Sequence, residues 1–254
     1  SDTDATSADG GDQTRKDGGA RDDGGTAVDA GLSDGGSVSD GGGPLPSTTR
    51  IVLTGGENDN GGMRSDTWEW DGKDWSPRPD MDGTFLCPNL FVTKGVLQLV
   101  TQGTTKNGGS ADGASTQRWA GRWAYTGPTI APKRCYPTVA TFGDQAVAYG
   151  GFTQDVLAPP VLFGDTQVWD GKAWKDAKVA GPPARRDSAM AALSDGVVLF
   201  GGDGSKAFNE EGELGDTWVW NGTTWSPKNV SGPSARWGHA MASLAGKVYL
   251  FGGN

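Results

Sequence analysis

The sequence predicts an all-β chain folded as a β-propeller. Two recurrences carry that expectation. A strand ending in paired glycines appears as IVLTGG (51–56), AVAYGG (146–151), VVLFGG (197–202) and VYLFGG (248–253), with a degenerate LVTQG at 99–103. A Trp-rich hairpin follows each of the earlier ones: DTWEWDGKDWS (66–76), QRWAGRWAY (117–125), DTQVWDGKAWK (165–175) and DTWVWNGTTWS (216–226). Trp70, Trp119, Trp169 and Trp220 open the hairpin cores at spacings of 49, 50 and 51 residues. A self-similar unit of that length built of short strands is the signature of a radial array of blades.

The first 49 of the 254 residues are different material. They carry ten Asp against three Lys or Arg, no aromatic residue and almost no large aliphatic one. Such a stretch buries too little apolar surface to offset its conformational entropy, so 1–49 is expected to be a disordered acidic linker and 50–254 the propeller. Seven of the net nine negative charges lie in the linker, which leaves the body near neutral. Neither segment offers the basic stripe that nucleic-acid binding requires. No apolar run approaches the roughly 20 residues of a membrane-spanning helix. As a flexible coil the linker would reach roughly 40 Å, which suits a tether.

Each repeat resolves into four strands, a to d. In the third complete unit these are SAMAAL (188–193), VVLFGG (197–202), TWVWN (217–221) and TTWSP (223–227), joined by Ser194-Asp195-Gly196 and Asn221-Gly222 turns. The glycine pair closing strand b is expected to let a ring, Trp218 or Trp220, lie over bare backbone. The body begins with a strand b and ends with strands a and b. It is therefore read as about four blades plus half of a fifth, a piece of a larger propeller of six or seven.

Strand-terminal Gly-Gly, an aromatic on strand c and a Trp on strand d resemble the Kelch repeat family over residues 51–254. The resemblance implies a Kelch-type propeller, related in fold to the central domain of galactose oxidase. The second unit departs from the pattern: Gln102-Gly103 replaces Gly-Gly and its hairpin is one residue shorter, so that blade is expected to be less regular. The linker is similar to the spacers behind the lipid-modified cysteine of bacterial envelope lipoproteins. That likeness implies a signal and a lipid anchor upstream, with an ordinary secreted leader or a plain linker as alternatives.

Alternating strands put loops a–b and c–d on one face and b–c and d–a on the other. The b–c loops are long and dissimilar (57–65, 104–116, 152–164, 203–215), which is where binding resides on a rigid scaffold. Within 156–164, Val156, Leu157, Leu162 and Phe163 read as an exposed apolar patch for a ligand. Arg134, Arg185 and Arg236 each stand 16 residues before a glycine pair. They form either an anion-binding ring for a carboxylate or structural pairs with Asp66, Asp165 and Asp216 at the start of strand c. Cys87 and Cys135, the only cysteines, occupy neighbouring positions in adjacent blades, where they form a disulfide or remain as two buried thiols.

His239 is the single histidine and is expected to be packed and hydrogen-bonded in a structural role. One imidazole and four Tyr do not supply the ligand set of a radical-copper oxidase, nor a Ser-His-Asp triad. A carboxylate pair for glycoside hydrolysis is not removed by counting, although Glu210, Glu211 and Glu213 crowd one loop. Residues 57–60 and Asp203-Gly204 carry oxygen donors without the spacing of a calcium loop, and turn chemistry accounts for them. No cofactor and no metal are expected. The reading is a monomeric, non-enzymatic module of the bacterial envelope or exterior that recognises a protein or glycan. A sugar-modifying enzyme of the epimerase or mutarotase kind and a purely structural repeat are the alternatives.

Overall fold

The structure, a computed structural model, describes residues 50–56, 62, 64–81, 84–104, 115–153, 161–205 and 212–254. The expected disordered linker 1–49 lies outside the described residues. Among the described residues there are strands and no α-helix, and so no helix long and apolar enough to cross a membrane.

Five antiparallel sheets follow one another along the chain. The first contains β1 (Ile51–Thr54), β2 (Thr67–Trp70) and β3 (Trp75–Arg78). The second contains β4 (Thr84–Thr93), β5 (Val96–Thr104), β6 (Ser115–Trp119) and β7 (Trp123–Pro128). The third has β8 (Thr138–Phe142), β9 (Gln145–Tyr149), β10 (Thr166–Trp169) and β11 (Trp174–Asp176). The fourth has β12 (Ala189–Leu193), β13 (Gly196–Phe200), β14 (Thr217–Trp220) and β15 (Trp225–Lys228), and the fifth only β16 (Ala240–Leu244) and β17 (Lys247–Phe251). Each sheet is a meander in chain order, and the first strands β4, β8, β12 and β16 stand side by side. This arrangement is β-propeller-like, with three strands in the first sheet and two in the last.

The core lies between sheets, because alternate residues of a strand face opposite neighbours. Ala146 and Ala148 of β9 join Phe91, Val100 and Trp169 in the seam between the second and third sheets. Val147 and Tyr149, one residue out of phase, join Met190, Leu199 and Trp225 between the third and fourth. The strand-c and strand-d Trp residues pair beside every hairpin turn, as Trp70–Trp75, Trp119–Trp123, Trp169–Trp174 and Trp220–Trp225, with centroids 5.1–5.6 Å apart.

The second sheet is the irregular one. Its pairing slips between Leu86 and Asn89 and again between Thr116 and Gln117. Cys87 therefore sits inside β4, at that first slip, and not ahead of the strand. It is disulfide-bonded to Cys135, with Cα atoms 5.3 Å apart, which joins the second sheet to the third.

The glycine pair works differently from the expectation that a Trp ring covers it. Gly201 and Gly202 have φ of 62° and 105°, and their nearest neighbours are backbone. A Cβ on Gly201 would collide with the carbonyl oxygen of Arg236, and one on Gly202 would lie 2.7 Å from that of Arg186. The Gly202 N–H donates to Arg236 O at 2.8 Å. Bare backbone is needed because the next sheet begins there.

Candidate functional site

Each arginine of the sequence motif stands just before the first strand of its sheet. The Arg185 side chain is fully buried; Nη1 donates to Gly201 O at 2.9 Å and to Asp216 Oδ1 at 2.6 Å, Nη2 to Asp216 Oδ2 at 2.7 Å, and Nε to Pro183 O at 3.0 Å. Arg134 repeats this with Gly150 O, both carboxylate oxygens of Asp165 and Pro132 O. Asp216 also accepts the indole N–H of Trp218 at 2.6 Å. Burial pushes its carboxyl up, but the hydrogen bonds from Arg185 and Trp218 outweigh that and hold it below the usual range. Two of the three arginines are thus bound up within their own sheets. Arg236 keeps the backbone half of the pattern, to Gly252 O at 3.0 Å and Ser234 O at 3.2 Å, and has no carboxylate partner among the described residues.

Phe163 belongs to this structural set and not to an exposed patch. Its half-buried ring lies under the Arg134 guanidinium, 3.9 Å from the centroid. Leu162 is half-buried as well, bridged to Phe152, because the b–c loop leaves and returns as an extension of the sheet. That corrects the reading of both as exposed. Val161 is the apolar residue that does face solvent here, and Val156 and Leu157 lie outside the described residues.

Two residues beyond each arginine, a second row appears. Cys87, Tyr136, Asp187 and Gly238 have φ of 55°, 52°, 53° and 67°, the left-handed region that favours glycine. The row is wired together: Asp187 N donates to Tyr136 O at 3.3 Å and Gly238 N to Asp187 O at 2.9 Å. Tyr136, 42 % exposed, stacks on Phe152 with planes 4° apart and centroids 5.6 Å apart. The Arg186 guanidinium lies 5.0 Å from the Phe152 centroid and clamps Asp203 through Nε at 3.1 Å and Nη2 at 2.6 Å. Asp203 Oδ1 accepts the Ser205 N–H, so this carboxylate is engaged in a turn and an ion pair. Among the described residues the Asp187 carboxylate has a long contact to Arg186, 3.8 Å. Burial raises its pKa to about 6, with Asp203 adding and Arg186 opposing. An exposed tyrosine face, a buried aromatic beneath it and a weakly compensated carboxyl therefore share one edge.

On the opposite face the c–d turns of the first, third and fourth sheets are alike. Asp71, Asp170 and Asn221 each accept the N–H groups two and three residues ahead at 2.9 Å, closing the c–d turns on themselves. On the long-loop side the described loop bases are paired, Thr153 N to Val161 O at 2.9 Å and Gly204 N to Gly212 O at 2.8 Å. The loops are thus carried on two-stranded stems.

His239 is packed, as its place in the repeat implies. It meets Phe200 edge-on at 5.6 Å, its one polar contact is a weak one to the Phe200 backbone, and among the described residues neither ring nitrogen has a partner of full hydrogen-bond geometry. Burial and the Arg236 charge lower its pKa to about 4, so the ring is neutral. Tyr136 and Asp187 were missed by sequence reasoning. Their spacing of 51 residues was available, but nothing in a Tyr or an Asp announces positive φ. No family model matches this chain, and no curated protein matches it.

Proposed function

We propose that this chain is a Kelch-type propeller module of the bacterial cell envelope or exterior, non-enzymatic, that holds a protein or glycan on its long-loop face. The observation that carries the reading is the pairing of Arg134 with Asp165 and of Arg185 with Asp216. An anion-processing site needs those guanidiniums free and converging, whereas here they hold strands together. The face offered to a ligand is the Tyr136–Phe152 stack with Asp187 beside it and the loop stems around it. Aromatic faces and carboxylates suit sugar rings and peptide segments alike. The Cys87–Cys135 disulfide supports an oxidising location outside the cytoplasm.

The test is a fluorescence titration of the full chain with acidic and neutral oligosaccharides, together with surface plasmon resonance against isolated envelope proteins. Tyr136→Ala weakens binding about tenfold, the loss of one stacking contact. Replacing 156–162 by Gly/Ser abolishes binding, and altering the Asp71-Gly72 turn leaves it unchanged. Conversion of a sugar during the titration, or binding lost only on altering the turns, would overturn the reading.

A further inference from the structure

The row Cys87, Tyr136, Asp187 and Gly238 holds one backbone conformation under four different side chains. The conformation itself is structural: φ lies between 52° and 67° at all four, Gly238 N donates to Asp187 O, and Asp187 N donates to Tyr136 O. Glycine meets that requirement without strain, whereas an L side chain there costs stability. A side chain kept at such a position, where glycine would serve the backbone, points to a role for the side chain. That of Cys87 has one, in the disulfide to Cys135. Tyr136 and Asp187 remain, ahead of the first strands of the third and fourth sheets, each of which has a described sheet on either side. The frame around them repeats, with the same arginine clamp two residues before each. What differs between the two sheets at this point is the chemistry offered to solvent.

The geometry points to Tyr136 and Asp187 as a specificity-determining pair that reads a neutral hexose ring of a glycan, an assignment that rests on the reading of the long-loop face as the ligand face. The tyrosine carries the sugar ring and the carboxylate accepts two of its hydroxyls. Tyr136 stacks on Phe152 with planes 4° apart, and Phe152 lies against the Arg186 guanidinium, 5.0 Å from its centroid, so the tyrosine is a flat platform backed from beneath. Phe152 is tied to Cys135, the residue before Tyr136, by N–H to carbonyl bonds in both directions at 2.8 and 2.9 Å. The same buried Arg186 stands 3.8 Å from the Asp187 carboxylate, so ring and carboxylate are both held against one group and keep a fixed spacing. The Asp187 side chain is 22 % exposed, open enough for a hydroxyl to approach. A pyranose matches the pair. Its face is a patch of C–H groups that packs on an aromatic ring, and its rim carries paired hydroxyls that a carboxylate, an acceptor only, receives together. An acidic sugar brings like charge to Asp187, and an extended peptide seeks a sheet edge or side-chain pockets and not a flat ring.

The full chain is tested on a printed array of the neutral hexaoses of glucose, mannose and galactose, the hexaose of galacturonic acid and random-sequence peptides, with isothermal titration of whatever binds. A neutral hexaose is expected to bind and the acidic one not. Tyr136→Phe keeps the platform and binds as the unaltered chain does. Tyr136→Asn tolerates the left-handed backbone but has no flat face, and is expected to weaken binding about tenfold, as is Asp187→Asn. On binding to the unaltered chain the sugar C–H protons shift upfield in the ring current of the tyrosine, a readout that needs no variant to fold. Loss of binding in Tyr136→Phe, full binding in folded Tyr136→Asn or Asp187→Asn, unshifted protons, or equal binding of the acidic hexaose overturns the assignment. Peptides that bind in place of the hexaoses overturn it and leave the long-loop reading standing; if nothing on the array binds, both fall.

Discussion

The indole N–H of Trp225, on the last strand of the fourth sheet, donates at 2.8 Å to the hydroxyl of Thr166, on the third strand of the sheet before it. Both groups are buried, so neither can turn to water instead. Thr166→Val keeps the shape and removes the acceptor. The stranded indole is expected to cost about 1–3 kcal/mol in urea unfolding. In a Trp225→Phe background the same change should cost about 1 kcal/mol less. Equal costs in the two backgrounds would show that the contact contributes no coupling.

Asp216→Asn leaves the fully buried Arg185 guanidinium without its counter-charge. Removing one partner of such a pair typically costs 3–5 kcal/mol, and the partial exposure of Asp216 places the expectation near about 3. Because the Asp216 carboxyl is held low in the folded state, its contribution is present in full above the ordinary Asp range and is lost as pH falls through its depressed value. The unaltered chain should therefore converge on the stability of the variant at strongly acidic pH. A difference between them that is independent of pH would remove the charge argument.

Asp187→Asn is expected to stabilise. The folded chain raises the pKa of this carboxyl to about 6, so folding favours its protonated form. Its contribution is intact below the unfolded value near 4 and is lost as pH rises through about 6, which costs about 2 kcal/mol at neutral pH. Asparagine carries no charge and tolerates the left-handed backbone at φ 53°. The melting midpoint should rise at pH 7 and stay unchanged at pH 4. A drop at pH 7 would mean that the Arg186 contact outweighs burial.

Gly201→Ala should destabilise by more than Gly238→Ala. Both backbones have positive φ, which penalises any Cβ by about 1 kcal/mol. At Gly238 that Cβ meets open space, whereas at Gly201 it strikes the backbone oxygen of Arg236. Equal shifts in midpoint would show that the seam can open to admit a methyl group.

The strands were legible because the residues that specify them are local: Asn221-Gly222 and Asp71-Gly72 turn the chain, and Trp220 and Trp225 mark both sides of a turn within six residues. The Gly-Gly pair was also visible, but its reason was not. The clash that forbids a Cβ at Gly201 comes from Arg236, 35 residues away in the next sheet. The same holds for the Trp–Thr ties: the Asp-Thr dipeptides at 66 and 165 repeat in plain view, yet Thr67 and Thr166 each serve a tryptophan of another unit. Local spacing cannot express such a partner. Asp187 escaped notice because its strain and its raised pKa both arise from neighbours that the fold assembles.

The Cys87–Cys135 disulfide has a mechanical meaning. It closes a span of 48 residues across the seam between the second and third sheets. A chain pulled from its two ends transmits load through that bond and not through the enclosed strands β5, β6 and β7. Stretched in an optical trap, the oxidised molecule withholds roughly 160 Å of contour length that the reduced one releases. The second sheet, least regular in its pairing, is thereby the one most shielded from tension.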